Sequence, residues 1–296
     1  MSPVSRSGIV AVVGRPNVGK STLVNALVGT KVAIVSDKPQ TTRRDIRAIW
    51  TWGDVQIVFT DTPGFHKPRT LLGARLNDLV GDAVDGVDVV IQVVDAASGV
   101  GRGDAFVYSS QVADARSSAR FCVVNKVDRL AHHAVVSQLV AAQELGEWDE
   151  IVPLSATSGD GLDELRALVL ARMPEGPALY PNGEVTDQPL EVQLTELVRE
   201  QALEVTRQEV PHSVAVVIDE IERRDALTSI HASIVVERES QKGILIGRGG
   251  ETLKAIGTRA RAQMEPLLGT QVFLDLHVKV MKEWQRDPKA LDRLGF

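Results

Sequence analysis

The chain carries a single cysteine, Cys122, so no internal disulfide framework can hold it together, and a reducing compartment suits it. Cys122 reads as a core residue. Aromatic residues make up only 4% of the sequence, which leaves little ring surface for stacking on nucleobases. No run of about 18 uncharged apolar residues occurs, and the opening MSPVSRSG leads into the first predicted strand without a stretch of signal-peptide character. These absences predict a cytoplasmic protein with no transmembrane segment, while peripheral contact at the inner membrane face stays open. A surplus of positive charge is also missing, since 33 Lys and Arg stand against 39 Asp and Glu for a formal net charge of -6. A protein that coats nucleic acid indiscriminately is thereby excluded, because phosphate affinity follows local Lys and Arg density. Any nucleic-acid surface must be a local patch.

What is present fits two domains: 296 residues, 44% of them hydrophobic. From Ile9 to about Met173, Val/Ile-rich runs (IVAVV, VQIVFT, VDVVIQVVDA, FCVVNK, IVPLSA) alternate with helix-length segments. That alternation predicts an α/β domain with a mostly parallel sheet and helices on both faces. The proline- and glycine-rich MPEGPALYPNGEVTDQP marks a linker, giving domains at 1–173 and 190–296 around a 174–189 connector. The remainder reads as a helix from Leu190 to about Gln208, strands at His212–Ile221 and Ile230–Arg238, helices flanking Gly247–Gly250, and a last strand VFLDLHVKV. This is a smaller α+β domain.

The strongest chemical signal is Gly14-Arg15-Pro16-Asn17-Val18-Gly19-Lys20-Ser21, with Thr22 behind it, between a strand and a helix. Its glycines let the backbone wrap phosphates, and the helix N-terminus adds positive potential. Lys20 is placed to reach the β- and γ-phosphates and Ser21 to ligate Mg2+. Asp61-Thr62-Pro63-Gly64-Phe65 closes the strand VQIVFT, so that Asp61 can hold Mg2+ through water and the Gly64 amide can sense the γ-phosphate. Between them, the segment Lys38–Arg44 supplies a threonine that can close over the metal. Either Thr41 or Thr42 suits, and Thr42 is preferred. Asn125-Lys126-Val127-Asp128 follows the strand FCVV, and the Asp128 carboxylate matches the N1 and N2 donors of guanine, which adenine lacks. Ser155-Ala156-Thr157, after IVPL, can offer a backbone amide to the guanine oxygen. In their order these elements describe a GTP/GDP site.

On these motifs the chain resembles the translation-factor-related, Ras-like P-loop GTPases. With DKPQTTRRDI, GRPNVGKSTL and the C-terminal half, it resembles the Era family of bacterial ribosome-assembly GTPases from about Ile9 to Phe296. In this class a glutamine after the switch glycine orients the attacking water, and here Phe65 stands in that place. Hydrolysis then rests on positioning and electrostatics from Lys20, Gly64 and loop amides, and a slow intrinsic rate is expected. The resemblance implies that Asn17 lets K+ bridge the phosphates, an alternative to its being a plain turn residue.

In the second domain, Gly247-Arg248-Gly249-Gly250 forms a G-x-x-G loop between apolar helical stretches, in the element order of a KH domain, which clamps about four unpaired nucleotides. Ile244, Ile246, Leu253 and Ile256 read as an aliphatic groove, with Lys254 beside the loop. From Arg238 to Arg286 nine basic residues face five acidic ones, a local patch in an acidic chain. Recognition is expected to lean on that groove rather than on ring stacking. The resemblance implies a partner in the 3′ end of small-subunit ribosomal RNA and in the small ribosomal subunit. An RNA-binding chaperone with GTP as a structural or regulatory ligand is the alternative, and a protein-binding C-terminal domain is a third. His132 and His133 are neighbours on a helix without a third ligand in reach, so they read as exposed, not as a metal site.

Overall fold

A computed structural model describes residues 4–38, 40–68, 70–115, 118–206 and 213–296. In chain order the elements are β1 (Arg6–Gly14), α1 (Lys20–Val28), β2 (Ile46–Trp52), β3 (Val55–Asp61), α2 (Leu71–Val84), β4 (Val89–Asp95), α3 (Arg102–Val107), β5 (Ala119–Asn125), α4 (His132–Gln143), β6 (Glu150–Pro153) and α5 (Leu162–Arg172). Then follow α6 (Leu190–Val205), β7 (Ala215–Arg224), β8 (Leu227–Val236), α7 (Glu239–Ile246), α8 (Glu251–Leu268), β9 (Gln271–Val280) and α9 (Pro288–Leu294). They fall into two compact units, the first carrying β1 to α5 and the second α6 to α9.

The first unit is a six-stranded sheet in the order β2-β3-β1-β4-β5-β6. Every residue of β3 and of β4 is buried, as strands covered on both faces must be, and these are two of the Val/Ile-rich runs of the sequence. β1 pairs in parallel with β3 and β4, and β5 with β4 and β6. The chain moves outward from β1 in both directions, so a crevice opens beyond the carboxyl end of β1, where such folds place ligands. On one face Leu23 and Leu27 of α1 pack with Ile57, Phe59 and Ile91.

The strand β2 is antiparallel to β3 and was not expected from sequence. Its IRAIWTW run is as long as β3 and β4 but abuts the polar TTRRD segment, which hides it. As the edge strand it is covered by the connector. Ile49 N donates to Val185 O at 2.9 Å, and the buried Gln56 side chain accepts from the amides of Leu179 and Tyr180, both at 2.8 Å. Tyr180 Oη adds a bond to Asp187 at 2.8 Å. The proline-rich stretch is therefore strapped onto this sheet, where it blunts an exposed edge.

The second unit has the sheet order β7-β8-β9, with β7/β8 antiparallel and β8/β9 parallel. Leu194, Val198 and Ala202 of α6 and Ile256, Ala260 and Met264 of α8 cover one face. Along β9, Val272, Leu276 and Val278 enter that core, while Phe273, Asp275, His277 and Lys279 alternate onto the other face. Residues 207, 208 and 212, which the sequence reading assigned to a helix end and a strand start, lie outside the described residues. The helix α9, also unexpected, starts where Asp287 accepts from Lys289 N at 3.0 Å, with Pro288 in its first turn.

Candidate functional site

Gly14, at the end of β1, opens a loop that runs into α1 at Lys20. The turn needs left-handed backbone at Asn17 (φ 65°) and Gly19 (φ 101°). A Cβ on Gly19 would lie 2.4 Å from Asn125 Nδ2, so only glycine fits there. Lys20, 6% exposed, lays its ammonium against the carbonyls of Gly14 (3.2 Å) and Arg15 (3.1 Å). Burial pulls its pKa down to about 8, against the pull of Asp61 in the other direction. Arg15 points away from the loop to Asp104 of α3 (2.7 Å), whose carboxylate also accepts from Gly101 N at 3.0 Å.

Ser21, Thr42 and Asp61 meet. Ser21 Oγ donates to Asp61 at 2.6 Å, Thr42 Oγ1 donates to it at 3.2 Å, and the two hydroxyls are 2.9 Å apart. Asp61 is fully buried, which pushes its carboxyl pKa up, while Lys20, Ser21 and Thr42 oppose the shift. Its second oxygen, Oδ1, has no hydrogen-bond partner. Thr41 turns elsewhere, its hydroxyl donating to Lys38 O at 2.6 Å.

Beyond Asp61, Thr62 Oγ1 donates to Val12 O at 2.8 Å and Phe65 N to Gly14 O at 3.1 Å. Gly64 passes so close to Pro16 that a Cβ would lie 2.7 Å from its Cα. Phe65 is buried in an apolar cluster with Val80 and Val107 and stacks on Phe106 at 5.3 Å between centroids. Its ring can neither donate nor accept a hydrogen bond to a water.

Asn125 joins three of the sequence motifs. Nδ2 donates to Val18 O (2.9 Å), and Oδ1 accepts from Lys126 N (2.8 Å) and Ala156 N (3.0 Å). The Ala156 amide, read from sequence as a candidate for the guanine oxygen, is thus engaged with Asn125, and Ser155 N donates to Asp160 O at 2.9 Å. Lys126, itself left-handed at φ 65°, bridges Asn17 O and Asp95, both at 2.7 Å. Asp128 is exposed at the crevice rim. Asp95 and Asp104 were missed in the sequence. Asp95 had a signal, a carboxylate closing the strand VDVVIQVVD, whereas Asp104 is marked only by its fold partner Arg15.

In the second unit the G-x-x-G loop takes positive φ at Gly247 (74°), Gly249 (61°) and Gly250 (85°), with Arg248 exposed between them. Lys254, Gly257 and Arg261 follow one face of α8 from its capping residue Gly250 and, with Phe273 and Leu276 of β9, line a groove of about 400 Å³. Ile244 is 50% exposed and Ile246 is partly buried. Ile256 does not face the groove: it is fully buried under the sheet, because its helix phase points it at the core. His132 and His133 are exposed at the start of α4. Among the described residues no cluster of His, Cys, Asp and Glu could hold a metal ion by itself.

Residues 9–126 match the family model described as a 50S ribosome-binding GTPase, and residues 209–285 match the KH domain model. The GTPase Era of Mycolicibacterium smegmatis is 55% identical over 98% of this chain and 99% of its own, and that of Mycobacterium avium is equally similar. Among solved structures, Era in complex with MgGDPNP and nucleotides 1506–1542 of 16S ribosomal RNA is 39% identical. It aligns with a TM-score of 0.94 over 98% of this chain and 99% of that one. A single-residue variant of Aquifex aeolicus Era bound to GDP·AlF4⁻ aligns with a TM-score of 0.93 at the same identity and coverage.

Proposed function

Because this chain belongs to the Era family of GTPases, we propose that it hydrolyses GTP as a switch on the 3′ end of small-subunit ribosomal RNA during assembly of the small subunit. The observation that carries the first half is the clasp of Asn125 on the phosphate loop and the Ser155–Thr157 loop, which gathers the guanine-nucleotide motifs at one sheet edge. The second half is supported by the G-x-x-G groove and by the relative solved with 16S ribosomal RNA. A cytoplasmic protein is part of the proposal, and no described helix is long and apolar enough to cross a membrane. The nucleotide domain is assigned to 1–173 and the RNA domain to 190–296 around a 174–189 linker; the compact units change between Asp187 and Gln188, which supports the start of the RNA domain and groups most of the linker with the first unit.

In this reading the loop amides of Asn17 to Thr22 cradle the phosphates, and the phosphate oxygens take over the Lys20 ammonium from the loop carbonyls. Asp128 and the Ser155-Ala156-Thr157 loop select guanine, with Asn125 and Lys126 holding the two loops in register. Ser21, Thr42 and Asp61 fit Mg2+: all are hard oxygen donors, and the Asp61 Oδ1 atom is buried without a partner. When bound there, Mg2+ neutralises charge on the β- and γ-phosphate oxygens. Thr42 rather than Thr41 is assigned to the metal, since its hydroxyl already meets Ser21 and Asp61. The Gly64 amide meets the γ-phosphate, and Phe65, packed on Phe106, offers no side-chain polar group at that position to orient the attacking water. Turnover is then slow and set by positioning. Asn17 is assigned to K+, which predicts faster hydrolysis in potassium than in sodium chloride; equal rates would remove that role.

The test is binding of a fluorescent RNA copied from the 3′ end of small-subunit ribosomal RNA. The wild type binds, and a Gly247→Asp, Arg248→Asp variant that keeps its GTPase rate does not. Unchanged RNA binding by that variant would point instead to a protein-binding second domain.

A further inference from the structure

One ring of the second unit stands in an unexpected place. Phe273 is 53% exposed on β9, yet it lines the groove across from Gly250, Lys254 and Arg261. Because β9 is the last strand of its sheet, Phe273 sits where the groove passes over onto the open face. Its ring is braced from one side: His231 of β8 meets it edge-to-face, with centroids 6.3 Å apart and planes at 65°. His231 is in turn held by Asp275 at 3.2 Å, and the same carboxylate takes His277 at 3.3 Å. A half-exposed phenyl fixed in this way contributes little to the core and presents a pre-set apolar plane.

The geometry points to Phe273 as a stacking platform for the nucleobase adjacent to those held in the groove, extending the single-stranded RNA site over the lip of β9. The charges favour a base there rather than a phosphate. Lys254 and Arg261 lie on the opposite wall, whereas on the Phe273 side the Lys279 ammonium is already paired with Asp219 and the Asp275 carboxylate is shared by His231 and His277, so the stronger draw on the sugar-phosphate chain is toward α8. With the backbone drawn to α8, the bases turn toward β9, and a phenyl face accepts any of them. Recognition in this domain therefore uses a ring, contrary to the expectation drawn from the low aromatic content. The inference rests on the RNA-binding reading given above and deepens it.

The test uses the full chain and single-stranded RNAs from the 3′ end of small-subunit ribosomal RNA, by fluorescence anisotropy. One RNA is a tetranucleotide that fills only the loop and groove, and the other is longer. Phe273→Ala weakens the longer RNA by about tenfold or more, the size of one lost base-aromatic stack, and leaves the tetranucleotide nearly unchanged. Phe273→Trp restores affinity and Phe273→Leu, apolar but without a π face, does not. Scanning the longer RNA with abasic nucleotides finds one position whose loss weakens the wild type but not Phe273→Ala. If Phe273→Ala and Phe273→Leu bind the longer RNA like wild type while Gly247→Asp, Arg248→Asp abolishes binding, the stack is refuted and the RNA reading stands. If the wild type binds neither RNA, the underlying reading fails and takes the stack with it. Equal melting temperatures of the Phe273 variants separate this from a folding defect.

Discussion

Replacing Asn125 by Asp changes one atom of a side chain that is 2% exposed and makes three hydrogen bonds. Two of them survive, because Oδ1 still accepts from the amides of Lys126 and Ala156. The third inverts: the Nδ2 donor becomes an oxygen facing Val18 O across 2.9 Å. A buried carbonyl of the phosphate loop is left unpaired and repelled, which costs about 1–3 kcal/mol, and the new charge loses some hydration. About 2 kcal/mol is expected to appear in nucleotide binding, because the disturbed carbonyl belongs to the loop that holds the phosphates. That is roughly a 30-fold weaker GDP complex at 1.4 kcal/mol per tenfold. Asn125→Ala forfeits all three bonds and is expected to cost more, about 3–5 kcal/mol. Isothermal titration with GDP measures the difference, alongside a melting curve for the free protein. GDP affinity of Asn125→Asp within threefold of wild type would refute the claim that this clasp shapes the loop for nucleotide, even if the melting temperature fell.

Asp128→Asn exchanges an acceptor for an amide, so preference is expected to move from guanosine toward xanthosine nucleotides; competition binding with GDP and XDP reads it, and retained guanine preference would mean the base is selected elsewhere. Gln56→Ala removes the side chain that holds Leu179 and Tyr180 to the sheet, and limited proteolysis is expected to cut the 174–189 connector faster while the fragments stay folded. Unaltered cleavage would show that the strap is held by other bonds. Cys122 is fully buried, and burial raises its thiol pKa above the ordinary range, with Asp104 adding to the effect. Native protein at pH 8 should resist iodoacetamide and react only when unfolded, by mass spectrometry.

The nucleotide site was legible in the sequence because phosphate chemistry demands particular residues at fixed spacing: a wrapping glycine loop, an ammonium and a hydroxyl within eight positions of one another. What could not be read was how the motifs hold each other. Asn125 reaches Val18 across 107 positions and Ala156 across 31, and no local pattern encodes either contact. Arg15 and Asp104 form an ion pair in the same way, across 89 positions. The edge strand β2 was hidden by the polar segment before it, and the connector looked unstructured because its order comes from bonds to Gln56 and Ile49 rather than from its own residues. In the second unit the G-x-x-G loop was legible from its glycines. The groove was only half so: helix phase sends Ile256 into the core, and the alternation of β9 brings Phe273 out.

The claim that this protein is a switch requires that its two nucleotide states differ in what they hold. Affinity for the ribosomal 3′-end RNA should be measured with the protein loaded with a non-hydrolysable GTP analogue and with GDP, at one salt concentration. The account predicts tighter binding in the GTP-analogue state by at least about fivefold, the lower end of ordinary coupling energies. Equal affinities in the two states would contradict it and favour an RNA-binding chaperone that carries its nucleotide as a structural ligand.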